Sequence, residues 1–405
     1  MPVGGILSIR TWKRRCNTMK AKVGYSIAAD AKIAGAQAAA MAKEDLEDIK
    51  LAFVYSSVAY NTQDLLEGVK ESLPGVPLVG NTSFTGVICA DGFISGDDGF
   101  VGVMAVADAD TAIGVAGLPK GTSARETGQD VAHQAMAKAG RNAPPDYFYM
   151  VASPGEEEAY LKGITNAIGR VPMFGGSAAD NAIVGEWSLF TGEKVFADGV
   201  AVAFFYTDKP MKNLFTGAYR ETEDVGIITK VDGNRTLVEI NGIPAVEMYA
   251  KWIGTEAASL AGGNLLVATI TSPLGIKDRL GDLIAIRHPM NGNDDGSMAV
   301  GANLSEKTAV IRMEATIDEL IDSASATLVA LKDSLSEPAA FYHLVHCGGR
   351  RAGIGDRIGE VVDAVKEAAG DVPFLMEFTF GEYGFVDDGN NSTGGLMLSY
   401  TAICK

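Results

Sequence analysis

Three segments of the chain share one order of sequence features, and this repetition limits the fold more than any other property. They begin at Leu51, Tyr147 and Phe341, and each contains an apolar stretch, a polar or glycine-containing loop, an amphipathic stretch, Val-Pro and a second apolar stretch. Because proline is tolerated at the start of a strand, the Val-Pro pairs at 76–77, 171–172 and 372–373 are expected to begin strands. Each segment is therefore predicted to form a strand, a helix and a second strand.

Helix signals agree with this interpretation. Leu161, Ile164 and Ile168 recur at helical spacing, and Ser153 with Glu156 predicts a capping box before them. A further helix is predicted before each segment, with caps at Asp30, Ser123 and Thr316. The repeated unit is thus helix, strand, helix, strand and hairpin strand. Strands that are apolar on both faces predict sheets covered by helices, so the fold class is a mixed α/β (α+β) fold of layered sheets.

The spacing leaves the middle of the chain open. Val76 and Val171 are 95 residues apart, whereas Val171 and Val372 are 201 apart. Either one copy has degenerated between them or roughly 100 residues have been inserted, and the mainly β pattern over 210–312 is compatible with both. We place a domain boundary near 242, which gives domains over 21–242 and 243–405.

Composition excludes several classes of protein. The chain is 47% hydrophobic and 21% charged, so it can bury large cores, and it has no apolar run of 18 residues that would span a membrane. A net charge of −17 opposes binding to nucleic acid. Four scattered cysteines without a CxxC pair argue against a disulfide framework or structural zinc, which predicts a cytoplasmic location.

Residues 1–20 differ from the rest, because they contain five basic residues and no acidic one. This leader lacks the apolar stretch of a secretory signal. We expect it to be a disordered leader or an untranslated stretch before Met19, with a basic targeting segment as the alternative.

Motifs along the chain resemble those of the FIST family of sensory proteins. The N-terminal half is similar through VGYS at 23–26, LVGNTSFTGV at 78–87 and MFGGSAAD at 173–180. The C-terminal half is similar through NGIPAVEMYAKWIG at 241–254, HPM at 288–290, HCGGR at 346–350 and FGEYG at 380–384. The resemblance covers about Lys20 to Lys405.

The resemblance implies a sensor of small ligands, with amino acids suggested, that acts in signal transduction. FIST domains are often fused to signalling output domains, but no such segment follows Lys405, so we expect this chain to act without an output domain of its own. A separate signalling protein is then the expected partner. A position near the C-terminus that often holds His-Asn in the family is Asn390-Asn391 here. Any role of that histidine would therefore be absent.

The best candidate for a ligand site is the loop from Cys347 to Arg351, which follows a strand and opens a helix. Gly348 and Gly349 allow close backbone approach, and Arg350 can grip a carboxylate with its guanidinium. Glu382, in the same unit, can take a ligand ammonium. The alternative is a tight turn with two solvated arginines and a solvated glutamate.

Further polar residues occupy equivalent points after the other Val-Pro pairs and are expected to orient the ligand, namely Asn81, Ser83, Ser177 and Asp180. Turn chemistry between hairpin strands is the alternative for all four.

Two other functions stay open. An enzyme would use Cys347 as the nucleophile, although the neighbouring His346 would point to the opposite face of the strand. A scaffold would bind a protein partner through an exposed apolar surface. The glycines at 353, 355 and 359 depart from a dinucleotide pattern and no metal constellation is present in the sequence, so neither a cofactor nor a metal is expected.

Overall fold

The computed structural model describes residues 18–277, 283–386 and 390–405. Most of the expected leader lies outside these residues. Of its last three residues, Met19 is buried and Lys20 begins the first strand.

The chain forms three equivalent units. The first consists of β1 (Lys20–Ser26), α1 (Ala31–Lys43), β2 (Ile49–Ser56), α2 (Thr62–Ser72), β3 (Leu78–Thr82), β4 (Val87–Cys89), β5 (Gly92–Ile94) and β6 (Val101–Ala107). The second consists of β7 (Ala112–Pro119), α3 (Ala124–Lys138), β8 (Tyr147–Ala152), α4 (Glu157–Ile168), β9 (Met173–Ser177), β10 (Leu189–Thr191), β11 (Val195–Phe196) and β12 (Gly199–Tyr206). The third unit opens with β13 (Met211–Thr216).

A separate sheet is inserted into the third unit. It contains β14 (Arg220–Asp232), β15 (Thr236–Ile240), β16 (Ile243–Pro244), α5 (Ala245–Ile253), α6 (Asn264–Thr269), β17 (Leu274–Lys277), β18 (Leu283–Arg287), β19 (Pro289–Gly292), β20 (Met298–Val300) and β21 (Ala309–Glu314). The third unit then resumes with α7 (Ile317–Asp333), β22 (Ala339–Cys347), α8 (Gly348–Ile354), α9 (Ile358–Ala369), β23 (Phe374–Thr379), β24 (Glu382–Val386), β25 (Asn390–Gly394) and β26 (Leu398–Cys404).

The inserted sheet answers the question that the spacing left open. Its strands run in the order β18-β17-β21-β14-β15-β20-β19, and it lies between β13 and α7. The long interval before the third Val-Pro is therefore an insertion with a sheet of its own. The boundary that we place near 242 falls between β15 and β16, inside this sheet.

Each unit contributes four strands to one six-stranded sheet and lends a hairpin to another. The three sheets have the orders β1-β6-β2-β3-β10-β11, β7-β12-β8-β9-β24-β25 and β13-β26-β22-β23-β4-β5. In each sheet the two strands predicted around the helix pair in parallel. The outer hairpin of every sheet comes from a different unit, so the units are joined in a closed ring.

Equivalent backbone hydrogen bonds close this ring. They run from Phe84 N to Phe378 O (2.9 Å), from Ala179 N to Thr82 O (2.9 Å) and from Phe380 N to Ser177 O (3.3 Å). Each donor lies seven residues after the proline of its own Val-Pro pair, and each acceptor lies five residues after the proline of its pair.

Alternation along the strands separates two kinds of core. Phe53, Tyr149 and His343 face a central core shared by the three sheets, and their rings lie 4.9 to 5.3 Å apart, centroid to centroid. The neighbouring residues on the same strands, such as Val54 and Met150, face the helices of their own unit. The prediction of a mixed α/β fold with helix-covered sheets is confirmed.

Most predicted helix caps are present. Asp30 and Ser123 accept backbone hydrogen bonds, and Thr316 forms the complete capping box. The predicted box at Ser153 is wrong, because α4 begins at Glu157 and the Ser153 hydroxyl instead donates to Asp198 (2.7 Å). Over the described ranges, no helix is long and apolar enough to cross a bilayer.

Candidate functional site

The end of β22 gathers the motifs of the C-terminal half. Cys347 caps α8 through its sulfur, which accepts from Gly349 N at 3.3 Å. A Cβ atom added to Gly349 would lie 2.8 Å from Leu396 and 3.2 Å from the imidazole of His288. Glycine is therefore required there by close packing, and His288 of the HPM motif lies against the HCGGR motif.

Arg350 is fully buried, with 0% exposure. Its Nη2 donates to Leu320 O at 2.8 Å and to the Ser323 hydroxyl at 2.5 Å, both on α7. Among the described residues, its Nε and Nη1 meet no hydrogen-bond partner. The alternative of two solvated arginines is wrong, since Arg351 also lies partly buried over the Phe93 ring, 4.9 Å from its centroid.

Two further side chains near Arg350 carry unpaired polar atoms. His346 Nε2 and the Tyr400 hydroxyl are buried and without a partner in the part of the chain that the structure describes. Burial lowers the pKa of His346, and the positive charge of Arg350 lowers it further. Burial raises the pKa of Tyr400, and Arg350 opposes that rise. Such a concentration of unpaired buried groups is unusual in a folded protein, where buried polar atoms are nearly always paired.

Glu382 lies within the electrostatic influence of Arg350. It is fully buried, and its carboxyl accepts from the Thr379 hydroxyl (2.9 Å) and from Met397 N (2.9 Å). Burial raises its pKa to about 8, while these hydrogen bonds and the charge of Arg350 act in the opposite direction. The carboxyl is therefore mostly protonated at neutral pH.

Tyr219 connects the two groups. Burial raises the pKa of its phenol, the charge of Arg350 lowers it, and Cys347 and Glu382 raise it further. Arg350, Glu382 and Cys347 therefore all lie close enough to Tyr219 to affect the pKa of its phenol. In the described ranges no ion pair joins Arg350 to Glu382 directly, and the protonated carboxyl of Glu382 carries no charge to pair with the guanidinium near pH 7.

The geometry opposes a nucleophilic role for Cys347. Its sulfur is buried and accepts from Leu396 N at 3.2 Å, and burial together with Glu382 raises the pKa of the thiol well above its usual range. The imidazole of His346 approaches the Cys347 carbonyl oxygen through Nδ1 (3.0 Å) rather than the sulfur. A reactive cysteine needs the opposite electrostatic environment.

The other predicted ligand residues serve the protein itself. The Asp180 carboxylate accepts from four backbone N–H groups of residues 182–186, at 2.9 to 3.2 Å. The Ser83 hydroxyl donates to Gly86 O (2.7 Å) and accepts from Phe378 N (2.9 Å). Their side chains hold loops and the junction between units, so neither is brought to Arg350.

Ser177 is connected to the site only through the backbone. Its N–H donates to Gly381 O at 2.7 Å, next to Glu382. Its hydroxyl bonds the Tyr383 hydroxyl (2.6 Å) and donates to Glu157 (3.1 Å). It therefore links the turn before Glu382 to α4.

Asn81 belongs to a second buried cluster, in the central core. Its amide donates to Glu377 at 2.8 Å and accepts from the Tyr149 hydroxyl at 3.2 Å. Burial raises the pKa of Glu377 to about 8 and lowers that of His343 to about 3. Both groups are neutral near pH 7, so their 3.9 Å approach is not an ion pair there.

Sequence reasoning missed Tyr219 and Tyr400. It considered His346 only as a neighbour of Cys347, and it named His288 only as part of a motif. His288 stands in a quoted motif, HPM, but no local pattern indicates which site that motif reaches. His288 is buried, its pKa is lowered to about 4, and its Nε2 lies 3.3 Å from Leu266 O. Its neutral imidazole therefore adds no charge to the region around Arg350.

Comparisons with known proteins agree with the motifs. The FIST N domain matches residues 50–243, and the FIST C domain matches residues 245–384. No curated protein matches the chain.

Solved structures that resemble the chain do so only distantly. They include a cyanuric acid hydrolase from A. caulinodans (14% identity, 96% of this chain and 100% of that chain, TM-score 0.34) and another cyanuric acid hydrolase (10% identity, 96% and 100%, TM-score 0.35). PurLQS from Thermotoga maritima is also similar (11% identity, 95% and 72%, TM-score 0.24). At these TM-scores the likeness says nothing about activity.

The two matched domains together span most of the chain, from residue 50 to residue 384. The chain belongs to the FIST family, whose domains are sensory domains in signal transduction.

Proposed function

We propose that the chain senses a small molecule whose carboxylate binds Arg350 and, if the ligand is an amino acid, whose ammonium binds Glu382. The observation that carries this proposal is the fully buried guanidinium of Arg350, whose Nε and Nη1 meet no partner among the described residues.

Energetics support a ligand with a negative charge. Each buried N–H without an acceptor costs about 1–3 kcal/mol, and an unbalanced buried charge costs more. With the Glu382 carboxyl protonated near pH 7, Arg350 has no full counter-charge beside it. A carboxylate would supply both the missing acceptors and the missing charge, so its binding repays a cost already present in the empty protein.

The first test is a thermal-shift screen of amino acids and small carboxylates. A ligand at 100 times its Kd is expected to add about 2.7 kcal/mol to the free energy of unfolding. Arg350→Met is expected to lose this shift, because methionine keeps an unbranched apolar side chain but lacks the guanidinium and its charge. Arg351→Met, which removes the neighbouring guanidinium, is the matched control and should keep it. An equal shift in parent and Arg350→Met would contradict the assignment of the carboxylate to Arg350.

A second prediction separates amino acids from simple carboxylates. Near pH 7 the empty protein holds a proton on Glu382, and a ligand ammonium beside it favours the ionised form. Binding of an amino acid is therefore expected to release close to one proton, whereas a carboxylate without an amine should release almost none. Calorimetry in buffers of different ionisation enthalpy measures this number. Proton release that persists in Glu382→Gln would show that Glu382 is not the group involved.

A cytoplasmic location and a separate signalling protein as the partner are further proposals. Cys89, Cys347 and Cys404 are all free thiols within the residues that the structure describes, which is typical of a reducing compartment.

A further inference from the structure

The insertion packs against α8, the helix that carries Arg350. The Tyr219 hydroxyl donates to Ile270 O at 2.8 Å, and Ile270 packs so closely on α8 that a Cβ on Gly353 would lie 2.5 Å from it. His288, between β18 and β19, lies against Gly349. The wall on this side of the site therefore comes from the insertion rather than from the three-unit ring.

A ligand can reach Arg350 only if an element packed around α8 moves, and the insertion is one such element. Arg350 and Glu382 are both 0% exposed, and five open surface clefts of 380 to 650 Å³ have neither residue in their lining. One face of the insertion, with Ile270, Ile286 and Ile311, packs into the core of the third unit, and its other face has a hydrophobic core of its own that includes Ile228 and Leu237. An element with its own core can shift as a body without losing its internal packing.

An ionic clamp joins the insertion to α4. Arg235, in the turn between β14 and β15, pairs through Nη2 with both Glu157 and Glu158, the latter at 2.6 Å. Asn303 N, also from the insertion, donates to Glu158 at 2.9 Å. The Arg235 side chain is 21% exposed, so water can replace these contacts when the clamp opens.

The clamp and the ligand site share one hydrogen-bonded path. Glu157 accepts from the Ser177 hydroxyl through the carboxyl oxygen that does not face Arg235. Ser177 N donates to Gly381 O, and Gly381 precedes Glu382. A displacement of the turn at Gly381 would therefore reach the clamp through two hydrogen bonds.

We infer that the inserted sheet is a lid over the Arg350 site, and that the contacts of Arg235 with Glu157 and Glu158 hold the lid shut. The purpose of the lid rests on the proposed function, because opening admits the ligand and closing transmits its presence to the rest of the chain. The movement itself can be measured without any ligand.

The test is the rate at which N-ethylmaleimide labels Cys347, followed by mass spectrometry of its peptide. Arg235→Ala is expected to raise this rate at least tenfold while the labelling of Cys89 and Cys404 stays unchanged. Arg312→Ala is the matched control, because Arg312 pairs with Asp224 (2.7 Å) inside the insertion and does not bridge to α4. The control should leave Cys347 protected.

Glu158→Gln removes one of the two carboxylates that pair with Arg235, and it is expected to raise the labelling rate of Cys347 by a smaller factor. This variant replaces Arg235→Ala in the test if Arg235→Ala does not fold. The lid is overturned if Cys347 keeps its parental rate in a folded clamp variant, if Arg312→Ala accelerates it equally, or if all three cysteines accelerate together. A negative ligand screen with faster Cys347 labelling would remove the proposed function and leave the lid. A positive ligand screen with unchanged Cys347 labelling would overturn the lid and leave the proposed function standing.

Discussion

Replacing Glu377 with glutamine is expected to raise the free energy of unfolding at pH 9 by about 4 kcal/mol. The folded protein keeps the proton on this buried carboxyl up to a pKa of about 8, whereas the unfolded chain loses it near 4.5. Between these values the unfolded state binds fewer protons than the folded state, so the parent loses stability as pH rises through the window. Glutamine has nothing to ionise and retains the acceptor that Asn81 uses.

The gain should be small near pH 4.5, grow steadily up to about pH 8 and then level off. Urea unfolding of parent and variant at several pH values measures it. Glu367→Gln, on the exposed face of α9, is the control and should show no such dependence. A stability difference that is the same at pH 5 and pH 9 would mean that Glu377 is ionised in the folded protein.

Arg350→Met is expected to stabilise the empty protein by about 1–4 kcal/mol while it abolishes ligand binding. The substitution removes a fully buried charge with two unpaired nitrogens, at the loss of two hydrogen bonds to α7. Protonated Glu382 does not need the arginine as a partner. Binding sites commonly lower the stability of the empty protein in this way, because a buried polar group lacks its hydrogen-bond partner until the ligand binds.

Thermal and urea unfolding of the ligand-free proteins test this expectation. Leu320→Met, a change of similar shape within the same core, controls for repacking and should cost less than about 1.5 kcal/mol. Loss of several kcal/mol in Arg350→Met would instead identify the guanidinium as a structural brace between α7 and α8. The burial of the Arg350 guanidinium would then be explained by its structural role, without a ligand.

Sequence patterns predicted the features that depend on residues close together in the chain, namely the order of strands and helices and most helix caps. The strand–helix–strand pattern placed Arg350 and Glu382 after neighbouring parallel strands, β22 and β23, which explains why both residues reach one region. The cap at Thr316 follows from residues three positions apart, so it too is visible in the sequence. Ser153 shows the limit, because Asp198, 45 residues later, takes the hydroxyl that a local pattern assigns to the helix.

Contacts between distant segments could not be predicted. Asn81 and Glu377 are 296 positions apart, and they meet only because β3 and β23 enter the same central core. His288 reaches Gly349 through the docking of an inserted sheet whose orientation no periodicity encodes. The burial of Arg350 has the same origin, since α7 packs over a loop that looks solvent-exposed in the sequence and accepts the hydrogen bonds of the guanidinium.

The exchanged hairpins have a consequence for how the chain reaches its native state. The sheet of the first unit is completed by residues near 190, that of the second by residues after 381, and that of the third by residues before 95. The first unit can complete its sheet once β11 has emerged, but the sheets of the second and third units need strands from the last sixth of the chain. The ring can therefore close only late, and a fragment that ends anywhere before β24 would leave the edge of β9 uncovered and prone to aggregation.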